Sequence, residues 1–225
     1  MKRRVAIVGA SGLVGKELLR ELLDSTEIES VLALGRRPLN LNDTKLREVK
    51  VDFANSAEVG GALAEARPEE LFCCLGTTIK VAGSQEAFRA VDLDAPLVFA
   101  KEGLANGAQQ FIVCTAVGAD PKSRVFYSRI KGELEQSLKS LGFARGVKMV
   151  RPSMLLGHRT ETRPLEKILG VPMKWSQGAF KGPLWKYRPI QAEKVARAMF
   201  NAAFREPPGD RAYEGKRLFN LAGFA

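Results

Sequence analysis

The stretch RVAIVGASGLVGKELLRELLD, residues 4–24, decides the fold. Its first five residues, RVAIV (4–8), form an apolar, β-branched run ended by glycine, which is the pattern of a buried strand. LVGKELLRELLD (13–24) then repeats leucine at helical spacing. Between them GASGLVG places Gly9, Gly12 and Gly15 at a strand-to-helix junction. Such a turn lets backbone N–H groups approach a pyrophosphate, and the helix N-terminus adds the positive end of its dipole. The spacing is G-x-x-G-x-x-G rather than G-x-G-x-x-G. A tight turn with close helix–strand packing is the plainer reading of the same glycines.

Outward from this unit, short apolar runs alternate with helix-period segments. SVLALG (30–35), LREVKVDF (46–53), ELFCCLG (70–76), QFIVCTAVG (110–118) and GVKMV (146–150) read as further strands. SAEVGGALAEAR (56–67), residues 84–107 with a kink at Pro96, and the segment around Tyr127 read as helices. Strand and helix in regular alternation imply an α/β fold, a doubly wound parallel sheet of the Rossmann type, with ligands beyond the carboxyl ends of the strands. At 225 residues the chain suits one domain. Residues 1–157 make its cofactor-binding core, 158–190 an irregular substrate-side segment, and 191–225 a closing helix with a last strand at KRLFNLAG (216–223).

Lysine and arginine exceed aspartate and glutamate by 35 to 25, a net charge of +10. This balance favours acidic partners, but the basic residues are scattered, with no stripe or recognition motif for nucleic acid. No apolar run reaches membrane-spanning length. Three cysteines without a framework suggest reduced thiols and a cytoplasmic location. With His158 as the one histidine, no metal site is expected.

The second strand ends in ALGRRPL, where a cofactor with a free ribose 2′-hydroxyl would meet a carboxylate. Arg36 and Arg37 stand there instead and suit a 2′-phosphate, so NADP is expected over NAD; solvated loop arginines are the alternative. Asp52 and Phe53 can border the adenine, though Phe53 also fits a core. In CLGTT (74–78), Leu75, Gly76 and Thr77 lie where the chain passes the middle of the cofactor, or form a bare turn.

YSRIKGELE (127–135) sets Tyr127 four residues before Lys131, on one helix face. A phenol, with a pKa of about 10, is a poor acid at neutral pH. A nearby ammonium favours the phenolate and can also hold ribose hydroxyls. Tyr127 can then protonate a carbonyl oxygen as hydride reaches the carbon, with Thr115 at the fifth strand's end steadying that oxygen. Gly132 costs about 1 kcal/mol inside a helix, so a close approach is expected there.

GASGLVG, CCLGTT, FIVCTAVGAD, YSRIKGELE and RPSMLLG together resemble the atypical short-chain dehydrogenase/reductases, closest to their small Tat-interacting-protein oxidoreductase branch. The resemblance implies that Gly9, Ser11, Gly12, Leu13 and Val14 form the pyrophosphate turn, beside the Gly15 of the glycine spacing, and that Arg36 meets the 2′-phosphate. It implies that Tyr127 and Lys131 are proton donor and partner, and that Pro152 and Leu156 lie near the nicotinamide. Where the family carries a Ser-Ser pair this chain has Thr115-Ala116. The function so implied is hydride transfer between NADP(H) and a carbonyl or alcohol. The alternative is an NADP(H)-binding regulator or redox sensor with little catalysis, which would act on a protein partner. Lys174, Lys181, Lys186 and Arg188 can meet an anionic substrate, and Trp175 and Trp185 can stack on a ring or serve in packing. Monomer and homodimer both remain open.

Overall fold

The first strand, β1 (Arg3–Val8), buries alternate side chains in two different cores. Val5 and Ile7 join one apolar cluster, while Ala6 and Val8 join the other. A strand buried on both faces needs helices on both sides. On the first side lie α1 (Leu13–Asp24), through Leu18 and Leu22, and α7 (Ala192–Phe204), through Val195 and Met199. On the second lie α2 (Ser56–Ala66), α5 (Ala95–Ala105) and α6 (Phe126–Ser140), through Leu63, Phe99 and Leu134. This computed structural model describes residues 2–156 and 182–223.

The sheet between these layers contains β2 (Ile28–Gly35), β3 (Leu46–Lys50), β4 (Glu70–Cys73), β5 (Gln110–Cys114), β6 (Val147–Val150) and β9 (Arg211–Tyr213). Its seven strands run in the order β3-β2-β1-β4-β5-β6-β9, all neighbours parallel. The order reverses between β1 and β4, so a crevice opens there at the carboxyl edge. The doubly wound α/β expectation therefore holds. A small second sheet pairs β7 (Leu155–Leu156) with β8 (Ile190–Gln191). Among the described residues no helix is long and apolar enough to cross a membrane.

Three segments differ from the sequence expectation. KRLFNLAG is a helix, α8 (Gly215–Leu221), not a strand. Its buried Leu218, Phe219 and Ala222 are spaced i, i+1, i+4, which serves one helix face. The last strand is β9, three residues with no apolar alternation to mark it. The helix expected over 84–107 runs unbroken from Gln85 to Ala105 as α4 (Gln85–Arg89), a π turn at Ala90–Asp94 and α5, the π turn being the departure, and the short α3 (Ile79–Ala82) precedes it. The wide turn lies ahead of Pro96, which has no N–H and sits in the first turn of α5 where none is needed. The third strand stops at Lys50, and the chain then turns, Asn55 N–H donating to the Asp52 carbonyl. Within 158–190, residues 182–187 form a 3-10 turn; His158, Lys174, Trp175 and Lys181 lie outside the described residues.

At the amino end of β4, Glu70 is fully buried and accepts a 2.6 Å bond from Arg145. Burial pushes its carboxyl up, against the pull of Arg3 and Arg145. A raised folded-state value means the native state binds more protons above the ordinary value near 4.5. Its contribution to stability is therefore fully present below that value and declines as pH rises. Thermal melts from pH 4 to 7 should show the Tm of wild type, relative to Glu70→Gln, falling as pH rises; a constant difference would contradict this.

Candidate functional site at the carboxyl edge of the sheet

The turn after β1 is shaped by its glycines. Gly9 has φ +78°, and a Cβ there would lie 2.5 Å from the Cys74 carbonyl carbon at the end of β4. A Cβ on Gly15 would lie 2.1 Å from the Gly9 oxygen, so α1 could not seat on the turn. Gly12 N–H donates to Gly9 O at 3.0 Å and Gly12 is the N-cap of α1, with no side-chain cap. No acidic residue occupies the helix's first turn. Unfilled N–H groups and an uncompensated positive helix end thus face the crevice, with Ser11 and Gly12 exposed. Leu13 and Val14 pack inward and fix the helix start. A Cβ-free cradle against an uncapped helix is a fit for a pyrophosphate.

Across β2 and β3, Arg36, Lys50, Val51, Asp52 and Glu58 line a cleft of about 460 Å³. Glu48 holds the loop that carries Arg36 and Arg37, accepting from Leu39 N–H at 2.7 Å and Leu41 N–H at 3.4 Å. Both arginines are exposed. Asp52 caps its own turn through Ala54 N–H, and its own N–H donates to Glu58. Phe53 is half-buried against the second core cluster.

On the other side of the switch point, Lys131 and Asp92 form a buried ion pair, Nζ to Oδ1 at 2.8 Å, their side chains 3% and 1% exposed. Asp92 Oδ2 accepts the Thr77 N–H at 2.8 Å. Burial alone would lower the Lys131 value, but the Asp92 carboxylate and then Tyr127 outweigh it, so the group is held above its ordinary range and stays an ammonium. Gly76 belongs to the same knot: a Cβ there would stand 3.8 Å from Lys131 Nζ. Leu75 before it packs against the second core cluster. Tyr127 lies in the first turn of α6, 40% exposed, its ring edge-on to buried Phe88 at 5.9 Å.

The Thr115 hydroxyl donates to Glu135 Oε1 at 2.6 Å. The same carboxylate accepts from Arg151 Nε and Nη2. Those bonds, against the cost of burial, raise the Arg151 value further. The hydrogen expected to steady a substrate oxygen therefore points to α6. The close approach at Gly132 is the chain following β5: a Cβ would fall 2.2 Å from Asp120 C and Pro121 N. Pro152 is buried and its carbonyl accepts from Val117 N–H, while Leu156 is exposed in β7. Trp185 packs edge-on against Phe219 at 4.9 Å with Arg188 over its ring, a packing role.

The structure thus gathers the glycine turn, Gly76, Thr77, Tyr127 and Lys131 along one edge. It adds Asp92, Glu135 and Arg151, which the sequence reading passed over. A signal existed: Asp92 sits in register with Phe88 and Phe99 on the apolar stripe, and Glu135 follows Ile130 and Leu134. Charged residues on a buried stripe need partners. Among the described residues no cluster of histidine, cysteine and carboxylates could hold a metal.

The NAD dependent epimerase/dehydratase family matches this chain over residues 5–171. Protein HTATIP2 of Rattus norvegicus is 36% identical, covering 97% of this chain and 89% of its own. Protein FMP52, mitochondrial, of Coccidioides immitis is 30% identical, covering 97% and 92%. Among solved structures, UDP-glucose 4-epimerase with UDP-glucose from Thermotoga maritima superposes with TM-score 0.70 at 15% identity, covering 97% of this chain and 81% of that one. A short-chain dehydrogenase/reductase family oxidoreductase from Burkholderia thailandensis does so with TM-score 0.67 at 22% identity, covering 94% and 91%. These superpositions show the shared fold. The mitochondrial relatives overturn the cytoplasmic expectation. Reduced thiols separate reducing from oxidising compartments and do not distinguish one reducing compartment from another.

Removing one partner of the Lys131–Asp92 pair leaves a buried charge uncompensated. Asp92→Ala should lower unfolding stability by about 3–5 kcal/mol in urea titration, and Asp92→Asn, which keeps an acceptor for Thr77, by less. A loss below about 1 kcal/mol, the size of a single net hydrogen bond, would show the ammonium satisfied elsewhere.

Proposed function

The chain belongs to the NAD dependent epimerase/dehydratase family, and from that premise we propose that it is an NADP(H)-dependent oxidoreductase acting on a carbonyl or alcohol. The observation that carries this reading is the half-exposed Tyr127 phenol on the helix that also bears Lys131, whose buried ammonium pairs with Asp92, across the switch point from the glycine cradle. Gly9, Ser11, Gly12 and the first turn of α1 would hold the pyrophosphate. Arg36 and Arg37 would hold the 2′-phosphate, and Lys131, Leu75, Gly76, Thr77, Pro152 and Leu156 would border the nicotinamide ribose and ring. When bound, NADPH supplies a hydride, two electrons with one hydrogen, to the carbonyl carbon and leaves as NADP, so that the carbonyl becomes an alcohol.

Tyr127 gives its phenolic proton to the carbonyl oxygen and regains one from solvent, to which its exposure gives access. Lys131 supports the phenolate left behind and presents N–H donors to ribose hydroxyls. Asp92 fixes where that ammonium points. For Thr115 to donate to the substrate oxygen, its hydroxyl must first turn from Glu135. The choice of NADP rests on Arg36 in the adenosine-side cleft, with no carboxylate at the end of β2.

A second reading is favoured by the same hydroxyl. With Thr115 committed to Glu135 and Ala116 carrying no oxygen, a protein that binds NADP(H), turns over little and reports to a protein partner is the alternative.

Tyr127→Phe should bind NADPH as wild type does in a fluorescence titration, yet lose about 100-fold or more in turnover of carbonyl substrates. Equal turnover would remove Tyr127 as donor, and no turnover by wild type across a carbonyl panel would favour the regulator. Arg36→Glu should weaken NADPH about 10- to 100-fold and NADH little, as a lost charge-assisted bond predicts; equal losses would remove the 2′-phosphate role.

A further inference from the structure

Eight large apolar side chains are exposed among the described residues, and six of them come from the chain leaving β4, β5 and β6. They are Ile79 and Val81 on α3, Val125 and Tyr127 at the start of α6, and Met154 and Leu156 at and before β7. In a parallel sheet these three connections share the carboxyl edge. The other two, Leu41 and Tyr187, lie in the connection from β2 to β3 and in the 3-10 turn before β8. Single exposed apolar residues need no explanation, but a set brought together by three separate connections around one reactive hydroxyl does.

Three of the hydroxyls in these connections are engaged within the protein. Thr78 Oγ1 accepts Val81 N–H, Ser123 Oγ accepts Val125 N–H, and Ser153 donates to the Arg188 carbonyl. Segments 76–82, 123–128 and 152–156 contain no carboxylate, and their charges are Lys80 and Arg124. With Thr77 and Ser128 the further hydroxyls and no carboxylate, such a rim has fewer partners for the many hydroxyls of a sugar than for methylene groups.

We propose that the substrate is a carbonyl compound bearing a hydrocarbon chain, its carbonyl at Tyr127 and its chain along the rim of Ile79, Val81, Val125, Met154 and Leu156. This rests on the oxidoreductase reading for the carbonyl and on the rim alone for the chain. Tyr127 is itself one of the six, so a chain attached to a carbonyl at its hydroxyl starts on apolar surface.

The test has two arms. In the absence of cofactor, 11-(dansylamino)undecanoic acid should bind at least tenfold more tightly than dansylglycine, and Val81→Asp or Met154→Asp should collapse that ratio while circular dichroism shows an unchanged fold. With NADPH, kcat/KM should rise about two- to fourfold per methylene from propanal to decanal, the range set by partial to full burial of each group. Equal binding of the two probes, or a flat chain-length series with Tyr127-dependent turnover, would overturn the chain while leaving the oxidoreductase. Selective probe binding with NADPH bound but neither aldehyde reduced would sink the oxidoreductase and the proposed substrate with it. Co-sedimentation with phosphatidylcholine vesicles that is lost in both variants, without probe selectivity, would assign the rim to a bilayer and overturn the proposal.

Discussion

The contact on which the candidate site depends is the one between Lys131 and Asp92. Two charges out of water are costly to keep, and each makes the other tolerable. The arrangement requires a widened turn at Ala90–Asp94 to bring Asp92 inward, a glycine at 76 to let the chain pass, and the Thr77 N–H to fill the second carboxylate oxygen. Three separate segments are thereby fixed to one ammonium. Lys131 is thus rigidly placed.

α6 is held at a second point one turn further on. Glu135 links Thr115 at the end of β5 to Arg151 at the end of β6, and Arg151 reaches Glu214 ahead of α8. Gly132, between the two moorings, lies under Asp120 and Pro121. The helix that carries Tyr127 is therefore located by polar contacts on the edge of the sheet, in addition to its apolar stripe of Ile130, Leu134 and Leu138.

Much of this was legible in the sequence because its signals are local. The run RVAIV, the glycine spacing and the leucine period of α1 each speak through neighbouring residues. The same holds for Tyr127 and Lys131, one helical turn apart. What escaped was set by distant partners. Asp92 is 39 positions from Lys131, and its meaning appears only when the π turn rotates it inward. β9 earns its strand from β6 and not from its own composition, and KRLFNLAG is too short an apolar run for its period to separate helix from strand. The direction of the Thr115 hydroxyl is likewise a matter of where Glu135 arrives.

One strand end touches both halves of the crevice. Cys74 presses its main chain against Gly9, and two residues later Gly76 stands beside Lys131. These few residues act as a ruler between the glycine turn and the Lys131–Asp92 pair. A shift of the glycine turn cannot be absorbed there without also moving the lysine, so the two halves of the crevice are a single mechanical unit.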